Sequence, residues 1–349
     1  MRNIVIGYYV HHRGAGHRHR ALAIAAAIGQ EVTILSSAPQ PERWDGPWIS
    51  LPLDTPESEN SIEADAGGAL HYVPIQSAGL RTRMAMISAW IEQERPAVMV
   101  VDVSVEVAVL ARLHGIPVVT VAQPGDRSDA AHLLGYRLSS AIIAPWPDLV
   151  RPLTTAPDVE SRVETIGAIS RIHPSGGAPS SPHHLAGAGG VIVVLTGEGG
   201  RGLSAVTAAV EIASAALPQY TWRTLRGQNE ETVAAALREA TLVIAHCGQN
   251  AVAEIAASRT PAILIPEDRP HGEQSALAAA IASSTLPART VRPAAVASTD
   301  WSSLITEVTT LDGADWMVWC DGAAAERAAA IITRIASMGD SDTAEKIAS

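Results

Sequence analysis

Leu242-Val243-Ile244-Ala245-His246-Cys247-Gly248-Gln249-Asn250, followed by Glu254, Pro266 and Glu273-Gln274, decides how the rest of the chain is read. An apolar run leads into a tight turn bearing His, Gly and Asn. A helical pattern over 251–257 and a second apolar run over 262–265 then predict strand, turn, helix, strand and polar loop. Two consecutive parallel strands deliver their loops to one edge of a sheet, and open α/β sheets bind ligands at that edge. The stretch is therefore the centre of a candidate ligand site. Gly248 permits a tight or left-handed turn, Asn250 is a good N-cap, and Glu254 shares its face one turn on.

The same alternation extends outward. Residues 4–10 read as a buried strand, 11–17 as a loop, 20–28 as a helix and 31–35 as the next strand. A βαβ unit of this kind makes a parallel sheet with helices on both faces. After a long irregular region over 38–63 come a helix over 78–94, a strand over 98–103, a helix over 105–113, and strands over 118–122 and 142–144. Residues 173–190, rich in Pro, Ser, Gly and His, read as a linker. The pattern then restarts with a strand over 191–195, a glycine loop containing Gly197, Gly199, Gly200 and Gly202, and a helix over 204–215. The expected division is a first domain over 1–172, linker 173–190, second domain 191–321, a returning helix over 322–338 and a flexible polar tail over 339–349.

The chain has 349 residues, enough for two ordinary domains, and a formal net charge of −11. That balance argues against nucleic acid or an anionic membrane as a general partner. Cys247 and Cys320 give neither a disulfide framework nor metal-ligand spacing. The first residues lack a signal-peptide pattern and no apolar run approaches a membrane span, so a soluble cytoplasmic protein is expected.

The glycine loop at Gly197, Gly199 and Gly200 lies between strand and helix, where backbone can approach an anion and a helix N-terminus supplies free N–H groups. A plain tight turn explains it equally well. Gly14-Ala15-Gly16-His17-Arg18-His19 is not a dinucleotide fingerprint, because His19 stands where the third glycine belongs, so no nicotinamide or flavin cofactor is expected. His11, His12, His17 and His19 invite a metal reading, but no Cys or carboxylate joins them, and no metal is expected. Arg13, Arg18 and Arg20 form a basic patch that is either solvated or a phosphate holder. Met84, Met86 and Trp90 read as core or cleft lining.

His246-Cys247-Gly248-Gln249-Asn250, then Glu254, Pro261, Pro266 and Glu273-Gln274, resemble the donor-binding signature of GT-B glycosyltransferases of the UDP-glycosyltransferase type. Gly14-Ala15-Gly16-His17 resembles the N-terminal glycine loop of the related MurG-like enzymes, and Val100-Val101-Asp102 the strand-then-acid element of their acceptor domain. The resemblance implies an α/β GT-B fold: two Rossmann-like domains facing across a cleft, the last helix packing back on the first domain. It implies that His246, Gly248 and Asn250 meet the donor diphosphate, Glu254 the ribose hydroxyls, and Glu273 and Gln274 the transferred sugar, with Gln249 also among the donor-binding residues. Gly14, Gly16 and Arg18 would form the acceptor or phosphate loop. His17 would be the general base for an inverting transfer, with Asp102 orienting it.

The implied partners are a UDP- or TDP-linked sugar donor and a small-molecule or lipid-linked hydroxyl acceptor, in a monomer or weak dimer, with no metal needed. Gln249 departs from the Trp frequent in the family, and Ser275-Ala276 from a common Asn. The segment that frames the base does not align clearly around Arg226-Gly227-Gln228-Asn229. A nucleotide-sugar epimerase and a non-catalytic nucleotide-sugar binder are the alternatives on the same architecture.

Overall fold

The computed structural model describes residues 4–12, 14–54, 62–151, 153–174, 189–196 and 205–348. The first half runs β1 (Val5–Val10), α1 (Ala15–Ala27), β2 (Glu31–Ser36), β3 (Trp48–Ser50), α2 (Ala78–Glu94), β4 (Val98–Asp102), α3 (Val105–Leu113) and β5 (Val118–Val121). It continues with α4 (Ala130–Leu138), β6 (Ala141–Ala144), α5 (Pro157–Glu160) and β7 (Val163–Thr165). Its strands form one parallel sheet in the order β3-β2-β1-β4-β5-β6-β7. β4, β5 and β6 are buried along their whole length, as strands covered on both faces must be.

The second half holds β8 (Val191–Thr196), α6 (Ala205–Ala216), β9 (Thr221–Arg226), α7 (Glu230–Glu239), β10 (Leu242–His246), α8 (Gln249–Ser258) and β11 (Ala262–Ile265). After these come α9 (Glu273–Ala282), β12 (Ala288–Thr290), α10 (Trp301–Val308) and α11 (Ala324–Ala348). The second sheet, also parallel, has the order β12-β11-β10-β8-β9. In both sheets the strand order reverses beside the first strand, between β1 and β4 and between β8 and β10. Those two reversals are the crevices where such sheets receive ligands.

α11 returns to the first sheet. Ala324, Ala328, Ile332 and Ile335 share one buried cluster with Ile6, Tyr8, Ile24 and Val100. A second cluster is continuous across the two halves, joining Trp146, Ala168 and Ile172 to Val243, Leu264, Trp316 and Trp319. Met84 and Met86 pack against a third cluster that contains Trp90, so all three belong to the core. Among the described residues no helix is long and apolar enough to cross a membrane.

Three expectations change. α1 starts at Ala15 inside the segment read as loop, because Gly14 adopts φ 88° and lets the chain turn into the helix. The residues read as a frayed tail continue α11 to Ala348. α4 is absent from the sequence reading, because Gly135 interrupts its apolar run. Most of the expected linker and the glycines at 197, 199, 200 and 202 lie outside the described residues.

Candidate active site

β1 and β4 are hydrogen-bonded neighbours with Val10 opposite Asp102, so the loop after one strand and the last residue of the other share an edge. His17 sits in the first turn of α1 with its Nδ1 2.9 Å from Asp102 Oδ1. Arg20 follows three residues later on the same helical face and donates from Nε and Nη2 to both carboxylate oxygens, at 2.7 to 3.2 Å. Asp102 is wholly buried. Burial pushes its carboxyl up, yet Arg20 and His17 outweigh that and hold it down at about 2.

Asp102 therefore stays ionised, but Arg20 neutralises much of its charge. Its main effect on His17 is orientation, with Nδ1 fixed inward. A single residue, Val103 at φ 62°, turns the chain out of β4. Ser104 then caps α3 by accepting from Val107 N–H, so Asp102 is not the helix cap. A left-handed β-branched residue costs about 1–3 kcal/mol and accumulates at functional sites.

Across the crevice, β10 ends at His246 and α8 begins at Gln249. Two local expectations are corrected here. Gly248, not Asn250, is the N-cap of α8, and its φ of −80° is ordinary. What excludes a side chain at Gly248 is the His246 ring, whose Cε1 would lie 2.5 Å from a Cβ. His246 Nδ1 accepts from Gly248 N–H at 3.0 Å, and burial lowers the ring's pKa, keeping it neutral. Val252 is the first amide bonded back to Gly248, so the amides of Gln249, Asn250 and Ala251 precede the intrahelical ladder and the helix end carries positive potential.

Gln249 spans the crevice. Its Oε1 accepts from Arg20 Nη1 at 3.4 Å and its Nε2 donates to the Pro145 carbonyl at 3.1 Å. A cavity of about 250 Å³ opens here, lined by Gly16, Arg18, Arg43, Arg171, Glu230 and Asn250 among others. Glu254, one turn into α8, is buried, and burial raises its carboxyl despite Arg171, whose Nε lies 2.6 Å away. Glu273 and Gln274 open α9 and are not loop residues. Glu273 accepts from Arg127 Nη2 at 2.5 Å, and the buried Gln274 holds the Glu267 amide at 2.9 Å. The cavity wall thus holds Gly16, Arg18, Gln249 and Asn250; His17 and Asp102 join it through Arg20 and Glu254 through Arg171, whereas His246, Glu273 and Gln274 do not line it.

In sequence Arg20 belongs only to a basic patch; its three-residue spacing from His17 is the signal of a shared face. Arg127 and Arg171 stand in irregular segments where no pattern singles them out.

Residues 230–299 match the glycosyltransferase family 28 C-terminal domain. The whole architecture is that of the GT-B fold. The glycotransferase of kitacinnamycin is 19% identical with a TM-score of 0.63, over 96% of this chain and 100% of that one. MurG of Acinetobacter baumannii is 16% identical with a TM-score of 0.62, over 95% and 99%. The spinosyn rhamnosyltransferase SpnG is 16% identical with a TM-score of 0.58, over 97% and 99%. Comparison of the sequence with curated proteins finds no match.

Proposed function

We propose, for a chain that is a glycosyltransferase of the GT-B fold, that it moves a sugar from a nucleoside-diphosphate donor to a hydroxyl acceptor with inversion at the anomeric carbon. The observation that carries this reading is the His17–Asp102 contact at 2.9 Å, tied through Arg20 and Gln249 to the open N-terminus of α8. With Nδ1 turned to Asp102, Nε2 is the nitrogen left for an acceptor hydroxyl. In this reading His17 takes the hydroxyl proton as the oxygen attacks the anomeric carbon, and the bond to the donor diphosphate breaks on the opposite face.

The leaving diphosphate gathers charge at the amides of Gln249, Asn250 and Ala251 and at the α8 dipole, so the transfer itself needs no metal. Glu254 receives the ribose hydroxyls, and Glu273 with Gln274 borders the sugar. A UDP- or TDP-linked donor fits this reading; SpnG has been crystallised with thymidine diphosphate. Arg18, beside Gly14 and Gly16, offers a positive charge to an acceptor or donor phosphate.

Two measurements test it. A thermal-shift panel of nucleoside diphosphates and their sugars should show a clear preference for one base. With the preferred donor, NMR of the product should show an inverted anomer, and a retained configuration would remove His17 from the role of base.

A further inference from the structure

Outside that cavity, four side chains from three segments meet where the two halves of the chain touch. His71 precedes α2, Asp129 is the N-cap of α4, His132 lies in the first turn of α4, and His271 stands just before α9 in the second half. His71 Nε2 lies 3.2 Å from His132 Nδ1 and 3.6 Å from Asp129 Oδ1, while His132 Nδ1 lies 2.5 Å from Asp129 Oδ2. His271 Nδ1 lies 3.8 Å from Asp129 Oδ2, and its ring meets that of His132 edge-on at 4.9 Å. Four-coordinate Zn²⁺ bonds nitrogen at about 2.0–2.1 Å, which sets neighbouring ligand atoms about 3.3 Å apart. The His71–His132 and His71–Asp129 separations bracket that value, and the His132–Asp129 contact at 2.5 Å would have to open to it on binding.

Protons alone serve this cluster poorly. His132 Nδ1 holds one hydrogen at most, yet both His71 Nε2 and Asp129 Oδ2 converge on it. The cluster is also held from behind. The amides of His71 and Tyr72 both donate to Glu106 Oε1, at 2.8 and 3.0 Å, and Ser104 Oγ donates to Glu106 Oε2 at 2.8 Å. His271 is kept at a left-handed φ of 60°, its carbonyl accepting from Asp126 N–H at 2.9 Å. A Cβ on Gly125 would come within 2.3 Å of that carbonyl. Arg127 Nη1 approaches His132 Nε2 at 3.4 Å and would have to yield as His132 turned its Nδ1 lone pair to an ion. Glu273 already balances that guanidinium.

We propose that His71, Asp129 and His132 bind a borderline divalent cation such as Zn²⁺, and that His271, 3.8 Å from Asp129 on the second half, moves in as a fourth ligand so that the ion ties the two halves of the chain together. Imidazole-rich sets select Zn²⁺, Co²⁺, Ni²⁺ or Cu²⁺ over Mg²⁺ and Ca²⁺, which prefer oxygen. None of the four residues lines the cavity beside His17, so the proposal does not rest on the sugar-transfer reading, although Arg127 joins His132 to Glu273.

Untagged protein stripped with chelator and titrated with Co²⁺ tests it, since the visible bands of four-coordinate Co²⁺ report the ligand sphere. One equivalent should bind and Zn²⁺ should displace it. His71→Ala and His132→Ala, with circular dichroism unchanged, should each weaken binding by more than tenfold, and His271→Ala severalfold. Absence of saturable one-to-one uptake, or undiminished uptake in His71→Ala and His132→Ala, would overturn the site. Unchanged affinity in His271→Ala would overturn the tie between the halves. Mg²⁺ competing as well as Zn²⁺ would overturn the assignment of the ion.

Discussion

Gly16 of α1 lies so close to Asn250 of α8 that a Cβ on Gly16 would sit 1.9 Å from Asn250 Nδ2. The two halves of the crevice therefore meet through a missing side chain and a short amide, beside the open end of α8. Gly16→Ala must push that amide aside or part the two helices. If Asn250 holds the donor diphosphate, the preferred nucleoside diphosphate should bind about tenfold more weakly, equivalent to about 1.4 kcal/mol. Calorimetric titration reads this directly. An unchanged Kd would show that Asn250 moves without consequence for the donor.

The buried pairing of Asp102 with Arg20 allows catalysis and folding to be separated. His17→Gln leaves that pair intact, so turnover should fall about 10²–10⁴-fold with little change in the unfolding midpoint. Asp102→Asn should lower both, because Arg20 is then a buried cation without its counter-charge, a loss of about 3–5 kcal/mol. Initial rates and thermal melts on the two variants decide it. Turnover within tenfold of wild type in His17→Gln would end the assignment.

Much of this was readable in the sequence, and the reason is local periodicity. α2, α3 and β11 fall where apolar spacing puts them, and β1 ends next to Asp102 because parallel pairing follows from the βαβ pattern. The crevice follows from strand order for the same reason. What the pattern could not carry were contacts made by long side chains from irregular segments. Arg171 on Glu254, Arg127 on Glu273 and the meeting of His71 with Asp129 and His132 depend on tertiary placement of loops with no period. The cap of α8 was misplaced by two residues because Asn is a strong capping type. The close His246 ring, which requires glycine at 248, leaves no trace in sequence.

Glu254 is buried and already paired with Arg171, so any ribose hydroxyl it receives must donate to a charged acceptor. Hydrogen bonds to charged groups contribute about 1.5–3 kcal/mol, and removing one should be felt about 10- to 100-fold in affinity. Glu254→Gln should thus weaken a ribonucleoside diphosphate by that margin while narrowing its advantage over the 2′-deoxy analogue. Competition binding with both ligands on wild type and variant measures it. An equal loss for both ligands would place Glu254 away from the 2′-hydroxyl.

Stability should decline on acidification in two separate stages. Burial pushes His19 down to about 4, helped by Arg43, whose Nη2 lies 2.8 Å from its Nδ1, and burial also lowers His246. In the unfolded chain both titrate near about 6.5. Between about 6.5 and 4 the folded chain therefore binds fewer protons than the unfolded one. The associated stability is complete above that window and is lost as pH falls through it. Asp102, held at about 2, adds a second loss as pH drops from about 4 toward 2. Glu254 works against that second loss: burial raises its carboxyl, so the fold favours its protonated form. Urea midpoints at pH 7.5, 6 and 5 should fall in that order, and His19→Gln should flatten part of the slope. Equal midpoints at pH 7.5 and pH 5 would mean that neither imidazole is kept neutral by the fold.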